Sequence, residues 1–230
     1  MARPVVLVHG AWHGGWCWER VTPHLDRSGV PWVAIDLPSV AKDDGGASAD
    51  DVATVLRALD ELPGDEQAVL VGHSRGGLVI SEAGMHDRVA HLVYLAAVYL
   101  KEGESTADFV GDSDLFSAIE FGDDGWALPK LEAAGPILYN DCTDDDARWA
   151  LAQLRSQDMK PVVEGPSAKA WRHRPNTYVV CELDQALPTA SQHLLSGRLD
   201  GTTVSWDTGH SPFLNRPELV AALLTGLSVG

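Results

Sequence analysis

Residues 71–77 read Val-Gly-His-Ser-Arg-Gly-Gly and place Ser74 between two glycines in the spacing G-x-S-x-G. A continuous apolar run at 68–72 (AVLVG) precedes the serine, and a helix is predicted over 78–85. Glycine is costly in regular structure because it has the most backbone freedom to lose. In this strand–turn–helix context the glycines indicate a tight turn that presents Ser74 to a reactant, a nucleophile elbow. The alternative is a helix-entry turn with an inert serine.

Strand-like and helix-like stretches alternate on both sides of this motif. Strands are predicted at 5–9, 32–36, 68–72, 89–97, 175–181 and 202–206, and helices at 16–27, 50–62, 78–85, 188–199 and 217–227. Asp50 or Asp51 can cap the helix that follows a Gly/Asp loop at 43–47. Short continuous apolar runs are typical of strands that are covered on both faces. The pattern therefore predicts an α/β fold with a mostly parallel sheet and helices on both of its faces.

Residues 100–173 interrupt this alternation. They are polar and helix-leaning, and they carry several prolines together with Trp126, Trp149 and Trp171. We predict an α/β core over 1–99 and 174–230, with 100–173 as a helical cap insertion. The tryptophans favour an apolar or aromatic substrate, although tryptophan is also a common core residue.

A serine hydroxyl is a weak nucleophile until a base takes its proton. After an elbow, the expected chain order is serine, then a carboxylate, then a histidine. His210 is predicted as the base because it follows the last strand and precedes the last helix. Asp184 directly follows the strand that ends in TYVVC, and we predict it as the acid. Glu182 would point to the other face of the strand, and Asp207 is too close to His210 in sequence to reach its ring.

A tetrahedral oxyanion needs two N–H donors. We predict that one belongs to Arg75, the residue after the serine, and the other to Ala11, because residues 9–16 (HGAWHGGW) begin with His-Gly after the first strand. A phosphate-binding loop is the alternative, but G-x-G-x-x-G and the P-loop lysine are missing. A metal pair of His9 and His13 would lack a third ligand. The side chain of Arg75 has two possible partners, a carboxylate at the site or a surface acid. We expect the surface acid, since only the N–H of Arg75 must face the site.

Composition limits the possible partners. The 17 basic and 33 acidic residues give a net charge of −16, which argues against nucleic acid and anionic membrane. The three cysteines, Cys17, Cys142 and Cys181, form no C-x-x-C pair, so neither a disulfide framework nor a zinc site is predicted. No charged-then-apolar leader precedes the first strand, and no apolar run approaches the ~18 residues of a membrane span. We therefore expect a cytoplasmic protein, and the sequence predicts no oligomeric state.

The chain resembles an α/β-hydrolase over most of its length, and least over 100–173. The matching stretches are VLVHGAWHGGWCWERVTPHL, AIDLPS, VLVGHSRGG, YVVCELDQALP and TGHSPFLNRPELVAALL. They are most similar to the branch that holds plant methyl esterases of the salicylate methyl-ester type, hydroxynitrile lyases and bacterial esterase relatives. The resemblance implies the same site residues and a pocket: a triad of Ser74, Asp184 and His210, N–H donors from Ala11 and Arg75, and a lining that includes Trp12.

Three positions depart from the lyase members of that branch, which carry Thr at the place of Gly10, Lys at that of Ser211 and Glu at that of His73. Without the lysine, a cyanide leaving group loses its cation, so the resemblance favours the esterases. We predict hydrolysis of a small-molecule carboxylic ester through an acyl-enzyme, with no cofactor and no metal. The alternatives are another cofactor-free reaction in the same site (carbon–carbon, lactone or amide hydrolysis, or a lyase step) and a non-catalytic ligand-binding member of the fold.

Overall fold

The computed structural model describes residues 2–40, 50–111, 113–160 and 169–230; the loop predicted at 43–47 lies outside these ranges. The strands are β1 (Val5–Val8), β2 (Trp32–Ile35), β3 (Ala68–His73), β4 (Val89–Leu95), β5 (Ile119–Phe121), β6 (Trp126–Pro129), β7 (Gln157–Asp158), β8 (Asn176–Cys181) and β9 (Thr202–Trp206). The helices are α1 (Thr22–Arg27), α2 (Asp51–Asp60), α3 (Gly76–Ala83), α4 (Ala107–Val110), α5 (Leu131–Leu138), α6 (Asp144–Leu151), α7 (Thr189–Ser196), α8 (Pro212–Asn215) and α9 (Pro217–Val229).

Six strands form the central sheet in the order β2-β1-β3-β4-β8-β9, and all neighbouring pairs are parallel. Successive strand residues face opposite sides of a sheet. Val6 and Val8 accordingly belong to the apolar cluster on one face, and Val5 and Leu7 to the cluster on the other. Burial on both faces explains why these strands read as continuous apolar runs, and the predicted parallel sheet is confirmed.

Helices cover both faces of the sheet. On one face α2, α3 and α7 contribute residues such as Val55 and Leu195 to the core, and on the other α1, α8 and α9 contribute Leu25 and Leu224. The carboxyl ends of parallel strands lie along one edge of a sheet. The segments that follow β1, β3, β8 and β9 therefore converge there, and each of them carries a predicted site residue.

Two local predictions were wrong. The helix predicted over 16–27 is divided into a 3₁₀ turn, Gly15–Trp18, and α1, because Pro23 lies in the first turn of α1 and a proline cannot continue a helix from its preceding turn. Neither aspartate caps α2 with its side chain. Asp51 is instead fully buried and accepts hydrogen bonds from the backbone N–H and the hydroxyl of Ser39.

Residues 100–173, which we call the insertion, join β4 to β8. Their described part holds the short helices α4, α5 and α6 and also a three-stranded antiparallel sheet in the order β5-β6-β7. The prediction of a helical segment missed this sheet because its strands are only two to four residues long. Such strands are too short to show the alternation that marks a strand in a sequence. Among the described residues, no helix is long and apolar enough to cross a membrane.

Candidate active site

Ser74 lies on a tight turn between β3 and α3. Its φ is +50°, a left-handed conformation that costs energy for a residue with a side chain. The turn is held by the backbone, since Ser74 N–H donates to the carbonyl of Leu95 and Val98 N–H donates to the carbonyl of Ser74. A Cβ on Gly76 would lie 2.7 Å from the carbonyl oxygen of His9. A glycine is therefore required for the start of α3 to approach the segment after β1.

Asp184 and His210 form a buried pair beside this turn. Asp184 follows β8, His210 follows β9, and the Asp184 carboxylate accepts a hydrogen bond of 2.7 Å from Nδ1 of His210. Its other oxygen accepts the N–H groups of Ala186 and Leu187. Gln192 in α7 donates a further 2.8 Å bond to the oxygen that binds the histidine. These donors fix the carboxylate, and the tautomer it selects leaves Nε2 of His210 as a proton acceptor.

His73, the residue before the serine, contacts His210. Its Nε2–H donates to the backbone carbonyl of His210 at 2.9 Å, and the centroids of the two rings are 4.6 Å apart. Burial lowers the pKa of His73 well below its usual value, and the neighbouring His210 adds to this. His73 therefore stays neutral and holds the main chain of His210. The sequence analysis singled out His73 only because the lyase members of the branch carry Glu at this position.

Two buried histidines hold the segment after β1. Leu37 N–H donates to Nε2 of His9, so Nδ1 of His9 carries the proton and donates to the carbonyl of Gly10 at 2.8 Å. His13 donates from Nδ1 to the carbonyl of Ala11 at 2.7 Å. Burial lowers the pKa of His9, and it lowers the pKa of His13 to about 3. Because His9 binds the carbonyl end of the Gly10–Ala11 peptide, it fixes the direction of the Ala11 N–H at the other end.

Both ring nitrogens of each histidine are thus engaged, since Nε2 of His13 lies 2.8 Å from the hydroxyl of Tyr139. Neither histidine therefore has a free ring nitrogen to bind the metal considered as an alternative in the sequence analysis. Within the described ranges, no three His, Cys, Asp or Glu side chains are grouped so as to hold a metal ion.

Trp12 is bound chiefly to the insertion. Its φ is +63°, its N–H donates to Oε1 of Gln157, and its indole Nε1–H donates to the carbonyl of Ala127. Its own carbonyl accepts the N–H of Arg155. Trp12 lines a pocket, and its contacts also join the segment after β1 to β6 and β7.

Arg75 follows Ser74, and its guanidinium lies 3.0 Å from the carboxylate of Asp51. The side chain of Asp51 is completely buried, so the prediction of a surface acid was wrong. Ser39 donates to the same carboxylate, and the carbonyl of Ser39 accepts from Nε2 of Gln157. A continuous polar chain therefore runs from the residue beside the serine to the insertion.

A pocket of about 280 Å³ opens at this edge of the sheet. Ala11, Trp12, Ser74, Arg75 and His210 line it. Its wall is mostly apolar, and the apolar wall residues from the core and the insertion include Leu78, Val98, Val110, Leu115, Phe116, Ile119, Phe121, Leu138, Met159, Ala186 and Leu187. A small apolar chamber beside a serine and a histidine suits a small, largely apolar molecule with one reactive polar group.

The sequence profile of the Alpha/beta hydrolase family matches residues 5–223. The chain belongs to the α/β-hydrolase family. This confirms the family and the fold that the sequence motifs indicated.

Similar α/β-hydrolases come from a fungus, a plant and a bacterium. The chain is 27% identical to Alpha/beta hydrolase nvfD of Aspergillus novofumigatus, over 97% of this chain and 96% of that protein. It is 25% identical to Methylesterase 2 of Arabidopsis thaliana, over 97% and 95%. The crystal structure of a pyrethroid hydrolase from Sphingobium faniae matches with a TM-score of 0.84 and 25% identity, over 100% of this chain and 98% of that one.

Sequence reasoning missed the side chains that orient the predicted site residues. Gln157, Gln192 and Tyr139 fall in no motif, and Gln157 bonds to a residue 145 positions away in the chain. His9 was visible as the start of His-Gly, but its role depends on the Leu37 N–H, which the sequence does not place near it. Glu182, the weaker acid candidate, lies 3.1 Å from the exposed His193.

Proposed function

We propose that this α/β-hydrolase is a carboxylic ester hydrolase with Ser74, His210 and Asp184 as its catalytic triad. The observation that carries the proposal is the buried Asp184–His210 hydrogen bond beside a pocket that His210 shares with Ser74 on its left-handed turn. The names of two relatives, a methylesterase and a pyrethroid hydrolase, support ester cleavage.

In the proposed mechanism, Oγ of Ser74 attacks the ester carbonyl while Nε2 of His210 takes the hydroxyl proton. Asp184 holds the imidazole in the required tautomer and stabilises the imidazolium ion. The N–H groups of Ala11 and Arg75 donate to the oxyanion of the tetrahedral intermediate. His210 then protonates the leaving alcohol. Water attacks the acyl-enzyme by the same route, so no metal or cofactor takes part in any step.

The chamber indicates the substrate class. Its volume of about 280 Å³ lies just below the range of ligand pockets, roughly 300–1,000 Å³. An ester with a short or compact apolar acyl group would fit. We also propose that the insertion forms the cap of the site, because Phe116, Ile119 and Met159 contribute to the pocket wall.

The test is hydrolysis of p-nitrophenyl acetate and p-nitrophenyl butyrate by the wild type and by Ser74→Ala. We expect the wild type to turn over and the variant to lose about 10³-fold or more in kcat, the scale for removing a triad member. The ratio of kcat/KM for the acetate and the butyrate gives a first dimension of the acyl pocket. Absence of turnover by the wild type would contradict the proposal and favour a ligand-binding protein.

A further inference from the structure

We propose that residues 139–141 of the insertion (Tyr-Asn-Asp) are positioning residues that hold the catalytic loops of the core in place. Each of these three consecutive residues hydrogen-bonds to a different loop. The insertion then does more than line the pocket, because it also determines where the reacting groups stand. The inference rests on the proposed function, since it concerns the loops of the proposed triad and oxyanion donors.

Tyr139, directly after α5, binds the oxyanion side. It is 2% exposed, and its hydroxyl donates to Nε2 of His13 at 2.8 Å. An acceptor at Nε2 requires the proton of the neutral ring to be on Nδ1, and Nδ1 of His13 donates to the carbonyl of Ala11. Tyr139 thus stabilises the tautomer of His13 that donates to the carbonyl of Ala11. Ala11 is the residue proposed to supply an oxyanion donor.

Asn140 binds the loop of the acid. Its side-chain amide donates to the carbonyl of Leu183 at 2.9 Å, one residue before Asp184. The N–H of Leu183 in turn donates to the carbonyl of Thr208, in the loop that carries His210. Asn140 therefore supports the acid loop at the point where it joins the histidine loop.

Asp141 binds the histidine loop itself. Its carboxylate accepts the N–H of Gly209, the residue before His210, and the side-chain amide of Asn215 at the end of α8. A carboxylate that accepts hydrogen bonds forms stronger bonds than a neutral acceptor. Asp141 thus fixes the main chain on the N-terminal side of His210, while His73 fixes its carbonyl.

Gly209 gives a second, independent sign of this contact. A Cβ at this position would overlap the side-chain oxygens of Asn140 and Asp141. The missing side chain therefore lets the 139–141 segment lie directly against the histidine loop. Any larger residue at 209 would push the two apart without removing a polar group.

The experiment compares Asp141→Ala, Asp141→Asn and Tyr139→Phe with Asp145→Ala, a nearby control whose side chain is 91% exposed. With p-nitrophenyl acetate we expect Asp141→Ala to lower kcat by about 10²-fold while KM changes less than about threefold, because misplaced groups slow the reaction step rather than binding. Asp141→Asn keeps an acceptor oxygen and should recover most of the loss. Tyr139→Phe should lower kcat by about tenfold, and the control should match the wild type.

A second readout does not depend on turnover: the solvent exchange of the His210 Nδ1 proton, followed by NMR. Asp141→Ala should speed this exchange and Asp145→Ala should not. If Asp141→Ala does not fold, as judged by its thermal midpoint, Gly209→Ala tests the same contact and should also lower kcat. Unchanged kcat and unchanged exchange in these variants, or a change in KM alone, would overturn the inference. Absence of turnover by the wild type would instead overturn the proposed function, and the exchange rates would still test the inference.

Discussion

The two sides of the candidate site are held in different ways. On the elbow side, Ser74 is fixed by backbone hydrogen bonds to Leu95 and Val98 at the end of the neighbouring strand. On the oxyanion side, the segment 9–14 is fixed by side chains, including His9, His13 and Gln157, and one of these comes from the insertion. The elbow therefore depends on main-chain groups, whereas segment 9–14 depends on particular side chains, of which Gln157 lies 145 positions from the residue it binds.

The largest expected effect comes from Asp184, whose hydrogen bond orients His210 beside the elbow. Asp184→Asn keeps the shape of the acid but permits the wrong tautomer of His210, so we expect kcat for an activated ester to fall by about 10⁴-fold. The matched control is Glu182→Gln, a carboxylate that lies two residues away and pairs with the exposed His193. An equal loss in both variants would show that Asp184 has no special role.

A smaller effect is expected where the two sides meet. A Cβ on Gly10 would lie 2.8 Å from Nδ1 of His73 and 2.9 Å from Cβ of Ser74. Gly10→Ala should push the Ala11 N–H away from the serine and lower kcat by about 10²–10³-fold, the cost of losing one oxyanion donor. In the control, Gly15→Ala, the new Cβ has only ordinary contacts at 3.6 Å, so wild-type kcat is expected. Equal kcat in the two variants would mean that the close approach at Gly10 is not needed.

The smallest expected effect is on the unfolding free energy, and it comes from His13 on the oxyanion side. An unfolded histidine has a pKa of about 6.5, whereas the pKa of buried His13 is about 3. Between these values the unfolded chain binds a proton that the native chain does not, so this group destabilises the fold as pH falls, by about 1.4 kcal/mol per pH unit. The loss begins near pH 6.5 and continues down to about pH 3.

His13→Gln removes that titration. The difference in unfolding free energy between wild type and variant, measured in urea at pH 7.5 and at pH 5.5, should therefore shrink at the lower pH by about 1.4 kcal/mol. Parallel pH dependence of the wild type and His13→Gln would mean that burial does not lower the pKa of His13.

Sequence reasoning succeeded where the pattern that predicts a feature lies within one short segment or in the order of the strands. The turn at Ser74 follows from a buried strand, two glycines and a helix, and the placement of Asp184 and His210 follows from strand order. It failed where a contact joins segments that only the fold brings together. Asp51 was read as a helix cap because nothing near it in sequence reveals Arg75, and the strands of the insertion were missed because they are too short to show a period.

The hydrogen bonds between Trp12 and the insertion have a consequence for redesign. An insertion that merely covered the pocket could be exchanged for that of a relative to obtain a new substrate preference at an unchanged rate. Here the exchange would also replace Gln157, which binds Trp12 and Ser39. A chimera would therefore inherit from the donor part of the framework that holds the proposed active site. Directed evolution of specificity in this protein should lose less activity if Gln157 is kept constant.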